Sequence, residues 1–358
     1  MSSARDSLPA RLPIKLDSTS NGEFAPVPLD EAARHARTQA HAAVEDAARR
    51  VGLERRRYVV SLLGAAATLG AFNRAFAAAG RTGGAYAMPL EAPYELAAAE
   101  AALAGDEFIF DVQLHHVNPQ GAWRRKAGPD AFRSMPNARC GEKDHVECFS
   151  SGALLKDVFL DSDTAMGVLS HVPGGEDTNP LDFEAADATR AAAQALDGAE
   201  RLLLHGRCMP TLAGEMERMA QQTARRAIAA FKTYTQFGPP DGPEGFFLDD
   251  DRFGTPFIER ARSLGVKTIA VHKGLPFGPR GHAYSLARDI GPAARKHPDM
   301  TFLVYHSGFD PAVKEGPYDP QAKAGVDVLI RSMREAGRPQ NVYAELGSTW
   351  RFVMRDPD

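Results

Sequence analysis

The sequence predicts an α/β fold, a TIM-type (β/α)8 barrel in which seven strands are identifiable, preceded by an N-terminal helical extension. Three observations predict it. From residue 106 onward, strand-like apolar runs alternate with helical patterns, which is what a parallel sheet with crossover helices requires. Three of those runs, residues 108–116 (FIFDVQLHH), 267–272 (KTIAVH) and 301–306 (TFLVYH), stop on an imidazole just before a turn, as barrel strands do when they aim ligands at one metal. No Gly-x-Gly-x-x-Gly opens a helix after the first strand, which argues against a doubly wound dinucleotide fold.

The elements follow in order. Residues 1–28 are rich in Ser, Pro and Asn without an apolar period, and residues 29–50 are Ala-rich with dispersed charges, a polar helix with no core face. Arg55, Arg56, Arg57 and Tyr58 then precede the apolar run 59–72 and the triplet Ala75-Phe76-Ala77. This arrangement resembles a twin-arginine export signal; the plainer alternative is an Ala-rich helix packed on the barrel. The expected organisation is a polar extension over 1–54, a signal-like or helical segment over 55–80, a linker over 81–105 and the barrel over 106–358. No other segment has 18 apolar residues in a row, so no stable membrane span is expected, and the location is periplasmic by twin-arginine export or else cytoplasmic.

Within the barrel, strands are expected at 108–117, 165–172, 201–206, 229–234, 267–271, 301–305 and 341–344, where apolar and β-branched residues run between turn signals. Helices are expected at 182–196, 212–228, 256–264, 284–296 and 323–336, several stopped by Gly or Pro. Too few residues follow 341–347 (NVYAELG) for an eighth strand and its helix, so the barrel reads as C-terminally incomplete, with open backbone edges on strands one and seven.

Composition narrows the function. With 358 residues, 44% hydrophobic and 25% charged, the chain can bury a large core. A net charge of -4 offers no basic surface for nucleic acid, which leaves a small-molecule substrate. Three cysteines, Cys140, Cys148 and Cys208, provide no disulfide framework. Cys140, His145 and Cys148 form a C-x4-H-x2-C cluster without an evident fourth zinc ligand and read as incidental. Asp249, Asp250 and Asp251 lack calcium-loop spacing and read as a solvated helix start.

Four motifs in order, Asp111-Val112-Gln113-Leu114-His115, Phe231-Lys232-Thr233-Tyr234, Val271-His272-Lys273-Gly274 and Tyr305-His306-Ser307-Gly308, resemble the amidohydrolase superfamily. The match is closest to the branch that contains aminocarboxymuconate semialdehyde decarboxylase. The resemblance covers roughly residues 106–350 and implies a divalent metal, zinc first, with manganese or another ion as alternatives. It implies ligands at His115, His272, His306 and Gln113, and catalytic roles for His306 and His272. Gln113 stands where the family carries the first His of a His-x-His pair, and a neutral amide oxygen is a weaker donor than imidazole. The family's Asp on strand eight has no counterpart.

The implied activity is hydrolysis of a small organic carboxylate, ester, amide or lactone by metal-activated water. One alternative is non-oxidative decarboxylation of an aromatic or unsaturated carboxylic acid, with His306 delivering the proton; the other is a non-catalytic, truncated relative. Lys232, Lys273 and Arg280 are candidates for holding an anionic substrate, although solvated surface roles are the plainer reading of each. Lys232 has one further reading, a carbamylated bridging lysine. His116 should alternate to the opposite face from His115 and either pack outside the barrel or hydrogen-bond a helix. A homodimer is also consistent with the family.

Overall fold

The computed structural model describes residues 12–14, 16, 28–81, 86–103, 105, 108–127, 144–174 and 178–355. The described residues divide into two compact units, one built on residues 28–105 with 12–16 and 350–355, the other on residues 108–349.

In the first unit, α1 (Glu31–Arg50), α2 (Arg55–Val59), α3 (Leu62–Ala78) and α4 (Leu96–Leu103) follow one another. Asp30 starts α1 by accepting the Ala33 N–H at 2.7 Å, as an N-cap carboxylate does. Contrary to the sequence expectation, α1 has a core face: Ala33, Ala36, Ala40, Val44 and Ala47 are all buried at helical spacing. Alanine methyls add little hydropathy yet let helices approach closely, so a stripe of them packs without showing a strong apolar period. The run expected to be an export h-region or a packed helix continues into α3, where Leu63, Ala66, Ala67, Ala71, Phe72 and Ala75 are buried. Gly64 permits the sharp α2–α3 junction, since a Cβ there would lie 2.4 Å from the Tyr58 carbonyl oxygen. No helix of the described residues is long and apolar enough to cross a membrane.

The second unit is a parallel sheet. Its strands are β1 (Ile109–Leu114), β2 (Thr164–Leu169), β3 (Leu202–Arg207), β4 (Ala230–Tyr234), β5 (Thr268–His272), β6 (Thr301–Tyr305) and β7 (Val342–Ala344), paired in sequence order. They form a curled half-barrel surrounded by α5 (Arg124–Ala127), α6 (Ser151–Leu155), α7 (Phe183–Asp197), α8 (Glu215–Arg225), α9 (Gly254–Ser263), α10 (Ile290–Lys296) and α11 (Val326–Glu335). The last helix, α12 (Trp350–Arg355), begins at the residue where the chain returns to the first unit.

Alternation along the strands separates two cores. Phe231, Ile269, Val271, Phe302 and Val304 pack outward with Phe257, Ile258, Ile290 and Leu329 of the helices. Inward, Ala230, Ala270 and Tyr305 pack with Val112 and Leu303. The β1–β2 register slips between Asp111 and Leu114, and the Gln113 N–H donates to Asp111 Oδ1 at 2.8 Å. That irregularity turns Gln113 toward the strand ends even though its neighbour Val112 also faces inward.

One expected element differs from the observed one, and one expected helix start is seen. The helix expected at 284–296 is split into 3-10 turns, His282–Ser285 and Ala287–Asp289, followed by α10, because Lys273 and Asp289 tie that segment to the sheet. Asp250 behaves as a helix-start residue, its Oδ1 accepting the N–H groups of Arg252, Phe253 and Gly254. Cysteine usage is corrected too: Cys148 is disulfide-bonded, so its thiolate is not offered to zinc, whereas Cys208 is free and buried. Cys140 lies outside the described residues.

Candidate active site

Beyond the C-terminal ends of β1, β5 and β6, Gln113 sits between two imidazoles. Its Nε2 is 3.4 Å from His115 Nε2 and 3.4 Å from His306 Nε2. His115 donates Nδ1–H to the Ser170 carbonyl at 2.7 Å, which leaves Nε2 to face the cluster as a lone-pair donor. Burial pushes the Asp111 carboxyl up, and the Gln113 N–H it accepts opposes that shift.

His306 and Ser307 take left-handed backbone, φ 65 and 55, which non-glycine residues rarely adopt unless their surroundings impose it. Here they do. The His306 N–H reaches Glu345 Oε2 at 3.3 Å, Ser307 Oγ donates to the Glu345 carbonyl at 2.8 Å, and the His306 carbonyl accepts from Phe309 N–H and Thr349 Oγ1. His272 completes the group, its ring edge-on to His306 at 4.6 Å between centroids. Tyr234 stacks on His272 at 5.1 Å, Phe277 meets its edge at 5.2 Å, and Phe237 lies 5.0 Å from Phe277. The histidines therefore have an aromatic wall on one side.

Below them Lys232 is fully buried, its Nζ 3.5 Å from the Tyr305 ring centroid and 4.5 Å from that of Tyr234, within cation–π range. Two further histidines join this floor. His205 on β3 lies 3.2 Å from Ser170 Oγ, and burial together with the Lys232 charge holds it well below the ordinary histidine range. His171, after β2, bonds the Leu181 carbonyl and is pushed down to about 3 by burial and by Arg207. Neither was expected as a site residue. The signal was present, since LLLHGR and GVLSH also place a histidine at or near a strand end.

Of the expected residues, Gln113, His115, His272, His306 and Lys232 come together; Lys273 and Arg280 do not. Following His272 on a strand, Lys273 points to the opposite face, where it is fully buried and pairs with Asp289 Oδ2 at 2.9 Å. Arg280 donates to the carbonyls of Gly238 and Pro239 and so ties two loops. Of its two expected roles His116 takes the hydrogen bond to a helix, with Nε2 2.9 Å from Thr189 Oγ1 on α7.

Oxygen and nitrogen donors gather beside Gly347. Gly347 marks the space: a Cβ built on it would lie 2.2 Å from Gln113 Oε1 and 2.9 Å from each carboxylate oxygen of Glu345. Amide and carboxylate oxygens thus surround one small cradle, beside the nitrogens of His115 and His306. Among the described residues no group of three or more His, Cys, Asp or Glu side chains is placed to hold a metal by themselves, so Gln113 is integral to any such set.

A family model described as Amidohydrolase matches residues 153–355, more than half of the chain. The chain belongs to the amidohydrolase family. As an amidohydrolase it is an enzyme, and the family indicates a divalent metal. No curated protein matches this amidohydrolase. Solved structures similar to it include 2,6-dihydroxybenzoate decarboxylase complexed with 2,6-dihydroxybenzoate, at 15% identity and a TM-score of 0.37, covering 70% of this chain and 92% of that one. The Rhizobium 2,6-dihydroxybenzoate decarboxylase gives 14% and 0.36, covering 67% of this chain and 87% of that one. A dihydroxybenzoic acid decarboxylase from Polaromonas sp. JS666, with bound manganese and 2-nitroresorcinol, gives 15% and 0.32, covering 67% and 86%.

Proposed function

We propose that this amidohydrolase carries out metal-dependent, non-oxidative decarboxylation of a small planar carboxylic acid. The observation that carries the reading is the convergence of Gln113, His115, His272 and His306 beside the wall of Tyr234, Phe237 and Phe277. Gln113, His115 and His272 would hold the ion, zinc or manganese, which leaves the His306 imidazole to carry the proton. When bound, a divalent cation supplies Lewis-acid polarisation of a carboxylate oxygen. The aromatic side chains take the planar body of the substrate and exclude water from it. Lys232, supported by the faces of Tyr305 and Tyr234, offsets the substrate's negative charge. His306 then gives a proton to the substrate carbon as the bond to the departing carboxylate breaks, the electron pair staying on that carbon until it is protonated.

Hydrolysis of an ester, amide or lactone is the second reading. It is favoured by the Glu345 carboxylate beside the cradle, a group able to take a proton from water. One experiment separates the two. Purified protein supplied with Zn2+ or Mn2+ is assayed for CO2 release from aryl carboxylates and for acid release from esters, amides and lactones, with His306→Ala as control. Decarboxylation abolished in the variant supports the reading; hydrolysis alone transfers it to the second, and turnover of neither class contradicts both.

A further inference from the structure

We infer that Gln236 sets substrate specificity by accepting a hydrogen bond from a hydroxyl or amino group on the planar body of the substrate. The inference rests on the decarboxylase reading above. Residues 234–237 close a turn at the end of β4, in which the Phe237 N–H donates to the Tyr234 carbonyl at 3.3 Å. Tyr234 and Phe237, at the two ends of that turn, belong to the aromatic wall, so the chain carries Gln236 at the border of that wall. Gln236 is only 2% exposed. Its Nε2 donates to the Phe277 carbonyl at 3.2 Å, and the Phe277 ring meets both Phe237 and His272.

That bond fixes the orientation of the amide. A carbonyl oxygen only accepts, so the amide nitrogen must face Phe277, and Oε1 is the other arm. Oε1 is buried and has no hydrogen-bond partner among the described residues. The polar side chains nearby are committed elsewhere: Thr235 Oγ1 donates to the Tyr284 carbonyl at 2.8 Å, and Arg280 donates to the carbonyls of Gly238 and Pro239. A buried acceptor left unpaired is costly, and an O–H or N–H brought by a bound molecule removes that cost. A planar acid resting on Phe237 and Phe277 brings the edge of its ring to this border. A ring without a donor there leaves Oε1 both desolvated and unpaired, so the site selects for the donor.

The test is calorimetric binding of benzoate, the positional isomers of hydroxy- and aminobenzoate, and the matching methoxybenzoates, to Mn2+-supplied wild type, Gln236→Met and Gln236→Leu. The wild type should hold its best hydroxy- or aminobenzoate at least about 10-fold tighter than the methoxy counterpart, which cannot donate. Both variants, which lack the acceptor, should bring that ratio close to one. A merely structural role, exerted through Phe277, would instead weaken every ligand alike and leave the ratio as it is. The wild-type ratio is readable even if neither variant folds. An unchanged ratio in the variants, or a wild type that binds benzoates without regard to a donor, would overturn the inference while the decarboxylase reading stood on CO2 release. A wild type that neither binds nor decarboxylates any of these acids would remove the reading itself, and the inference with it.

Discussion

Lys273 Nζ lies 2.9 Å from Asp289 Oδ2, with both side chains fully buried, on the outer face of the strand whose inner face carries His272. Lys273 also donates to the Tyr284 carbonyl, and Asp289 accepts the Leu248 N–H at 2.7 Å, so one ion pair joins β5 to the segments after β4 and before α10. Burial pushes the Lys273 ammonium down and Asp289 opposes it. Removing one partner leaves an uncompensated buried charge. Lys273→Met or Asp289→Leu alone should cost about 3–5 kcal/mol, whereas the double variant should lie within about 1–2 kcal/mol of wild type. Urea unfolding of the four proteins checks this.

Acid sensitivity follows from the buried histidines. His171 is held down to about 3, and His205 and His116 are also lowered, chiefly by burial. The unfolded chain binds protons at these rings near pH 6.5, whereas the folded state refuses them. Stability is therefore full above about pH 6.5 and is lost progressively as pH falls toward 3. Unfolding midpoints measured from pH 7.5 to 4 should fall, and His171→Phe should flatten the slope.

Much of this was legible in the sequence. Apolar runs at strand spacing located all seven strands, because a parallel strand buried on both faces leaves a continuous apolar signal. Their terminal histidines marked the site for the same reason: a polar ring after such a run must face the strand-end opening. Lys273 pairs with Asp289 on the outer face, where alternation from His272 already placed it, although its charge first suggested a substrate. The α1 face escaped because alanines carry little hydropathy. Glu345 escaped because an acid was sought on an eighth strand, and only the β6–β7 pairing brings the seventh strand's end to His306.

Gly347 keeps the cradle open. Its φ of +48 is a conformation alanine tolerates poorly, and a Cβ would stand 2.2 Å from Gln113 Oε1. Gly347→Ala should lower stability by about 1–2 kcal/mol and reduce metal affinity by an order of magnitude or more, read by thermal unfolding and by metal titration.

Lys232→Met keeps a long apolar stem against Tyr305 and Tyr234 but removes the charge. If the ammonium offsets substrate charge, KM for an anionic substrate should rise about 10-fold or more with metal content unchanged. An equal loss in kcat and kcat/KM would instead assign Lys232 to the chemical step.

Under the proposed function Gln113, His115 and His272 hold the divalent metal beside His306. Elemental analysis of the protein purified without added metal tests it most directly, with His115→Ala and His272→Ala alongside. About one zinc or manganese per chain in the wild type, lost in both variants while their folds persist, is the expected result. A metal-free wild type that stays metal-free after incubation with either ion, or full metal content in both variants, would contradict it.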